Sequence, residues 1–191
     1  MLPIPQLARY IKETGEQYVP GIDIKLIYRN DRFLRGGDHT PFVNNGFTAV
    51  RLTDYYENYD HQHQDVRLQD GRQFGDLIEF MDFGYLKTNT SVNIAVLANL
   101  AKAPAKPQNV LMDVSELTNN TKLRWEKPVA GNVKGYYILI RETDSPVCTQ
   151  KIFTGETSAT LPFSKDNFLF AVQSVSESGN LSLPVIPKVS R

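Results

Sequence analysis

A chain of 191 residues, 41% of them hydrophobic, is long enough for one ordinary domain or two small ones, each with a core but little surplus. Its 21 basic and 21 acidic side chains cancel to a formal charge of zero, which gives no general attraction to nucleic acid or an anionic membrane surface. A single cysteine, Cys148, excludes an internal disulfide, and nothing around it is basic enough to make it reactive. No run of about 18 apolar residues offers a membrane span, and the opening Met1 to Gln6 meets Arg9, Lys12 and Glu13 before any apolar core of an export signal could form.

In chain order, Leu7, Ala8, Ile11 and Tyr18 place apolar side chains on one face behind Pro5, which predicts a short helix over Gln6 to Tyr18. Ile22 to Tyr28 alternates apolar and polar residues and reads as a strand. After a turn holding Gly36 and Gly37, Thr40 to Asn45 reads as a short helix closed by Gly46, and Thr48 to Tyr55 as a second strand. From Gly75 through Ala101, Leu77, Phe80, Met81, Tyr85, Val92, Leu97 and Leu100 recur at near-helical spacing, with Asp76 in the first turn of the expected helix. Helix, strand, helix, strand, helix is the alternation of an α/β sheet, but two strands are too few to stand alone. Their open edges call for a second copy of the chain or for the rest of a larger sheet.

Ala103-Pro104-Ala105-Lys106-Pro107 ends the long helix, since neither proline can continue it. Beyond it the period falls to two. Val110–Val114, Lys122–Trp125, Tyr136–Glu142, Gln150–Phe153, Ser158–Leu161 and Phe168–Ser174 read as short strands, punctuated by Asn119-Asn120, Gly131-Asn132, Gly155 and Ser178-Gly179-Asn180. That pattern predicts an antiparallel sandwich. The expected layout is an α/β part over 1–103, a linker over 104–107 and a β-sandwich over 108–191.

The chemistry concentrates in Tyr59-Asp60-His61-Gln62-His63-Gln64-Asp65, which holds two of the three histidines of the chain beside a carboxylate. Loops beyond strand ends are where α/β sheets gather ligand-binding side chains. Zinc needs three or four protein ligands, yet the chain adds only His39 and Cys148 to its imidazoles and thiols. Either acidic residues complete a site, or the remaining ligands lie outside this chain; two solvated loop histidines are the plain alternative.

Leu123-Arg124-Trp125, Gly135-Tyr136-Tyr137-Ile138, Phe168 to Val175 and Ser178-Gly179-Asn180-Leu181-Ser182 together resemble the immunoglobulin-like fibronectin type III module. The resemblance implies that Trp125 and Tyr136 are core residues and that the module spaces or attaches without chemistry of its own. Asp31 to Phe42, Gly46-Phe47-Thr48-Ala49-Val50 and Tyr59 to Asp65 resemble the C-terminal portion of the co-catalytic di-zinc aminopeptidases, peptidase family M twenty-eight. This implies a partial three-layer α/β/α sheet domain, a peptide substrate, two zinc ions in the intact enzyme, and export to periplasm or medium. It also implies a metal ligand at His61, with His63 as the alternative, and an orienting carboxylate at Asp65. Asp38 and His39 would line the pocket, with a helix cap at Asp38 the plainer role; Arg32 and Arg35 would hold a substrate carboxylate or form structural ion pairs. The chain departs from the family by placing Asp60 between Tyr59 and His61. It also has no counterpart of the family's upstream histidine, bridging aspartate and acidic pair, so by itself it is expected to retain no zinc and to be inactive. The competing expectation is a non-catalytic interaction protein, dimerised through its open sheet.

Overall fold

The computed structural model describes residues 4–28 and 36–190, which fall into two units, Met1–Ala95 and Val96–Arg191. In the first, α1 (Ile4–Tyr18) buries Arg9, Tyr10, Ile11 and Thr14. On the same helix Lys12 and Glu16 grip the next segment: Lys12 Nζ donates to the Ile24 carbonyl at 2.8 Å, and Glu16 Oε1 accepts from the Ile24 N–H at 2.8 Å. Gly15 permits this approach, because a Cβ there would stand 2.7 Å from Ile24 Cδ1 and 3.0 Å from Val92 Cγ1. The short α2 (His39–Asn44) ends before Gly46, whose φ of 83° suits only glycine without strain. β1 (Arg67–Gln69) and β2 (Arg72–Phe74) form an antiparallel hairpin across Asp70 and Gly71, with φ of 49° and 77°. Two consecutive positive φ angles match the twist of a tight hairpin, which is why Asp-Gly occupies it.

Two expectations are corrected here. Neither Ile22–Tyr28 nor Thr48–Tyr55 belongs to a sheet. Among the described residues, no backbone–backbone hydrogen bond engages 22–27 or 48–54, and Ile24 is held by side chains alone. Alternation favours an extended chain, but a strand needs a ladder partner about 4.8 Å away, and none is within bonding reach. The α/β/α sheet is therefore absent from the described residues. The long helix, α3 (Phe83–Lys102), starts at Phe83 and not near Gly75. Asp82 sets its start: the carboxylate accepts from the Tyr85 N–H at 2.9 Å, while Leu77 to Met81 wind through a single 3-10 turn, Ile78–Phe80.

In the second unit the last turns of α3 are held by Asn99, whose Oδ1 accepts from Asn180 Nδ2 at 3.0 Å and from the Leu181 N–H at 3.1 Å. Seven strands follow: β3 (Gln108–Asp113), β4 (Thr121–Glu126), β5 (Gly135–Glu142), β6 (Gln150–Thr154), β7 (Ser158–Leu161), β8 (Phe168–Val175) and β9 (Lys188–Ser190). They pair as one sheet of order β7-β4-β3-β9 and another of order β6-β5-β8, all antiparallel except β3 with β9. Along β4 the burial alternates strictly, with Thr121, Leu123 and Trp125 inside and Lys122, Arg124 and Glu126 outside. Leu123 and Trp125 meet Tyr136, Ile138, Ile140, Phe170 and Val172 of the opposite sheet in one core, which makes a β-sandwich. Trp125 and Tyr136 pack edge to face with centroids 5.4 Å apart. The six expected strands are present; β9 is an addition, three residues pairing parallel with the edge of β3. No helix among the described residues is long and apolar enough to cross a membrane.

Candidate functional site

The histidine loop of the first unit is built from Asn58 to Asp76 and closed on itself. Asn58 caps a 3-10 turn, Tyr59–His61: its side-chain oxygen accepts from the Asp60 N–H at 3.1 Å. That bond turns the Asn58 amide nitrogen toward His61 Nδ1, 3.2 Å away. The His61 ring lies flat on Phe80, with centroids 3.6 Å apart and planes 4° from parallel. Asp60 joins the hairpin twice, through an ion pair with Arg72 and through its carbonyl, which accepts from the Gly75 N–H at 2.9 Å. Gly75 is required there: its φ is 118°, and a Cβ would fall 2.8 Å from the backbone Cα of Val66.

His63 sits in the left-handed region at φ 53°, exposed, its N–H donating to Asp76 Oδ2 at 3.1 Å. Asp65 is exposed and is contacted through its carbonyl by Arg67 at 3.2 Å. The side chain paired with the His61 ring is thus Asn58, in the place where Asp65 was expected as orienter. Asp38 occupies the N-cap position of α2 without a side-chain capping bond. His39 is half-buried, and its Nδ1 is buried without a hydrogen-bond partner. Arg32 and Arg35 lie outside the described residues.

A buried carboxylate escaped the sequence reading. The Glu57 side chain is only 3% exposed and is clasped by Arg51 at 3.7 Å, Thr53 Oγ1 at 2.9 Å and Gln62 Nε2 at 3.4 Å. Arg51 also donates to the Gly36 carbonyl at 2.9 Å. Glu57 therefore ties the extended segment 48–54 to the histidine loop. The only signal was a basic residue and a carboxylate six positions apart, which many surface loops share.

Among the described residues, no group of three or more His, Cys, Asp or Glu side chains is arranged to hold a metal ion. The His61 tautomer points the same way. With the Asn58 NH2 donating to Nδ1, the neutral ring carries its proton on Nε2 and has no free lone pair there. A metal at Nε2 requires the Asn58 amide to turn over. The described residues therefore do not by themselves fit a zinc shell.

The same unit contains a cavity of about 310 Å³, lined by both extended segments together with α1, α3 and His39.

No protein-family model matches the chain. It is related in sequence to fungal proteins named probable zinc metalloprotease: 44% identical to one from Leptosphaeria maculans over 97% of this chain and 43% of that protein. It is likewise 41% identical to one from Pyrenophora teres f. teres and 40% identical to one from Pyricularia oryzae, each over 97% of this chain and 38% of the relative. The chain thus spans about two fifths of the length of the relatives it matches. Solved structures similar to parts of it include an Fn3-like protein from Clostridium thermocellum, at 19% identity and a TM-score of 0.36 over 47% of this chain and 96% of that one. A structure described as a myokine matches at 23% identity and a TM-score of 0.35, over 45% of this chain and all of that one.

Proposed function

We propose that this chain is a portion of a zinc metallopeptidase of the co-catalytic aminopeptidase type, carrying a histidine-bearing loop and a fibronectin type III-like sandwich. The observation that carries this reading is the 40–44% identity to proteins named probable zinc metalloprotease, maintained over 97% of the chain. The loop geometry supports a role for His61 in particular, because stacking on Phe80 holds that ring while His63 stands exposed. A metal-binding imidazole donates its other ring N–H to a neighbour, so on this reading the Asn58 amide turns over when the metal binds. The ligands beyond His61, and the general base, belong on this reading to the polypeptide that the relatives carry outside the matched stretch.

Within this chain each residue has a bounded task. Phe80 fixes the plane of the His61 ring, and Asn58 lies beside its Nδ1. Arg72 and Gly75 brace the turn that carries it. Zinc, when bound in the complete protein, would polarise the scissile carbonyl and lower the pKa of a bound water.

The test is zinc titration by calorimetry and release of a chromophoric N-terminal residue from a peptide. Both are applied to this chain alone and to this chain mixed with the separately produced remainder of the Leptosphaeria maculans relative, with His61→Ala and His63→Ala controls. The expected result is zinc uptake and turnover only in the mixture, lost with His61→Ala and retained with His63→Ala. Retention of both with His61→Ala overturns the assignment of the ligand, and absence of both from a mixture that has formed a complex overturns the function.

A further inference from the structure

We infer that Asn119 is an acceptor of an N-linked glycan, attached during export and before the sandwich closes, and that among the acceptor motifs of this chain it is the one whose glycan the fold accommodates. The inference is independent of the metallopeptidase reading. Asn-x-Ser/Thr, with x other than proline, occurs at Asn89-Thr90-Ser91, Asn119-Asn120-Thr121 and Asn180-Leu181-Ser182. So short a motif carries little weight by itself, and the fold is what separates the three. A glycan is bulky and hydrophilic, so the asparagine that keeps one must face water with its amide free of other contacts.

Asn119 meets both conditions. It is exposed in the bend between β3 and β4, and its side chain makes no hydrogen bond to a described residue. The bend is braced through other groups: Lys165 Nζ donates to the Glu116 and Thr118 carbonyls at 3.2 and 3.1 Å, and Thr118 Oγ1 accepts from the Asn120 N–H at 3.3 Å. A sugar on Asn119 Nδ2 therefore displaces no contact. Asn180 is different, because its Nδ2 donates to Asn99 Oδ1 at 3.0 Å and its Oδ1 accepts from Ser178 Oγ at 2.8 Å. A sugar on that nitrogen would be driven into the contact with Asn99, itself 4% exposed. Asn89 is half-buried and lines the cavity of the first unit, on a helical turn where Ser91 Oγ donates to the Lys87 carbonyl at 2.9 Å.

Thr121 sets the timing. The motif is read through the hydroxyl of its third residue, and in the folded chain that hydroxyl is out of reach: Thr121 is fully buried and its Oγ1 donates to the Phe163 carbonyl at 2.7 Å. Transfer therefore precedes the seating of β4 against the connection between β7 and β8. In the transfer, Asn119 Nδ2 attacks the anomeric carbon of a lipid-pyrophosphate-linked oligosaccharide. A C–N bond forms, the C–O bond to pyrophosphate breaks, the lipid pyrophosphate leaves, and the nitrogen gives up one proton, with no oxidant or reductant involved.

The experiment expresses this chain behind a secretory leader in a fungal host and reads the occupancy of each motif by peptide mass after an amidase converts every glycan-bearing asparagine to aspartate. Occupancy is expected at Asn119, with Asn89 and Asn180 bare in the folded, secreted protein. Asn119→Gln should remove one glycan's mass and leave unfolding of the sandwich, followed by Trp125 fluorescence, unchanged. A second arm compares synthesis into microsomes that hold the transferase with incubation of purified folded chain with the same transferase and donor; only the first should modify Asn119. A bare Asn119 in the secreted protein overturns the inference, as does folded protein carrying glycan at Asn180 or Asn89 as fully as at Asn119. Equal modification of the already folded chain overturns the order of events.

Discussion

The two units handle their apolar residues in opposite ways. The sandwich closes a core from both of its sheets, with Ile138, Ile140 and Val172 fully buried. The first unit buries only Tyr10, Ile11 and Val92 among the large apolar side chains of its described residues, and leaves Phe42, Phe47, Tyr55, Tyr56, Leu68 and Ile78 at 54–87% exposure. Burial contributes about 25 cal/mol per Å² of apolar surface, so the first unit draws much less stability from its own chain. The lesson is that strand-like sequence is not a strand until a neighbour supplies its ladder.

The largest expected effect tests the sandwich half of that contrast. Ile138→Ala at a fully buried position should cost about 2–5 kcal/mol, read from the fluorescence of Trp125, the sole tryptophan. Phe42→Ala, at a residue 57% exposed, should change stability by less than about 0.5 kcal/mol. Comparable losses at the two positions would dissolve the contrast. Next comes Gly75→Ala, which forces a Cβ against the Val66 backbone at a positive φ. It should cost about 1–3 kcal/mol locally, seen as faster exchange at the Gly75 and His61 amides with the sandwich unmoved.

Alkaline pH should separate the units through Tyr10. Burial raises its pKa to about 12, partly opposed by a hydrogen bond with Thr14 and reinforced slightly by Tyr18. A folded-state pKa above the unfolded value means the contribution is whole below pH about 10 and is lost as pH rises through about 12. Tyr10→Phe should flatten that alkaline limb for α1 as followed by helical circular dichroism. A limb of the same height in the variant would assign it elsewhere; Tyr136, raised by burial in the sandwich, provides the matching control there. The smallest effect lies at the acid end. The Lys25 ammonium beside Asp23 holds that carboxyl below its ordinary value, aided by Lys12. Its contribution is present above the ordinary carboxylate pKa and lost as pH falls through the lowered one. Because the pair is exposed, salt should erase most of it, and a carboxyl titration unchanged by Lys25→Ala would refute the pairing.

Legibility followed the same division. β4 could be read from Thr121 to Glu126 because each second residue faces the core, and local period and tertiary burial agree. The hairpin β1–β2 carried a readable signal in Asp70-Gly71, obscured because its flanking strands are only three residues long and β1 is exposed throughout. The start of α3 was misplaced because Leu77, Phe80 and Met81 continue the helical spacing, whereas the Asp82 cap decides where the helix begins. At the site, the sequence offered His61 first, with His63 as the alternative. The folded loop adds what holds His61, namely Phe80, nineteen positions away, and Asn58 beside its Nδ1.

By itself, then, the sequence determined the sandwich strands, the short helices and the place where histidines and carboxylates gather, because those depend on local period, turn chemistry and residue type. The tertiary structure decided which alternating segments became strands, which carboxylate was buried, and which histidine was held. Those outcomes depend on how the folded chain brings side chains and backbones together, and for 22–27 and 48–54 no described residue supplies a ladder partner.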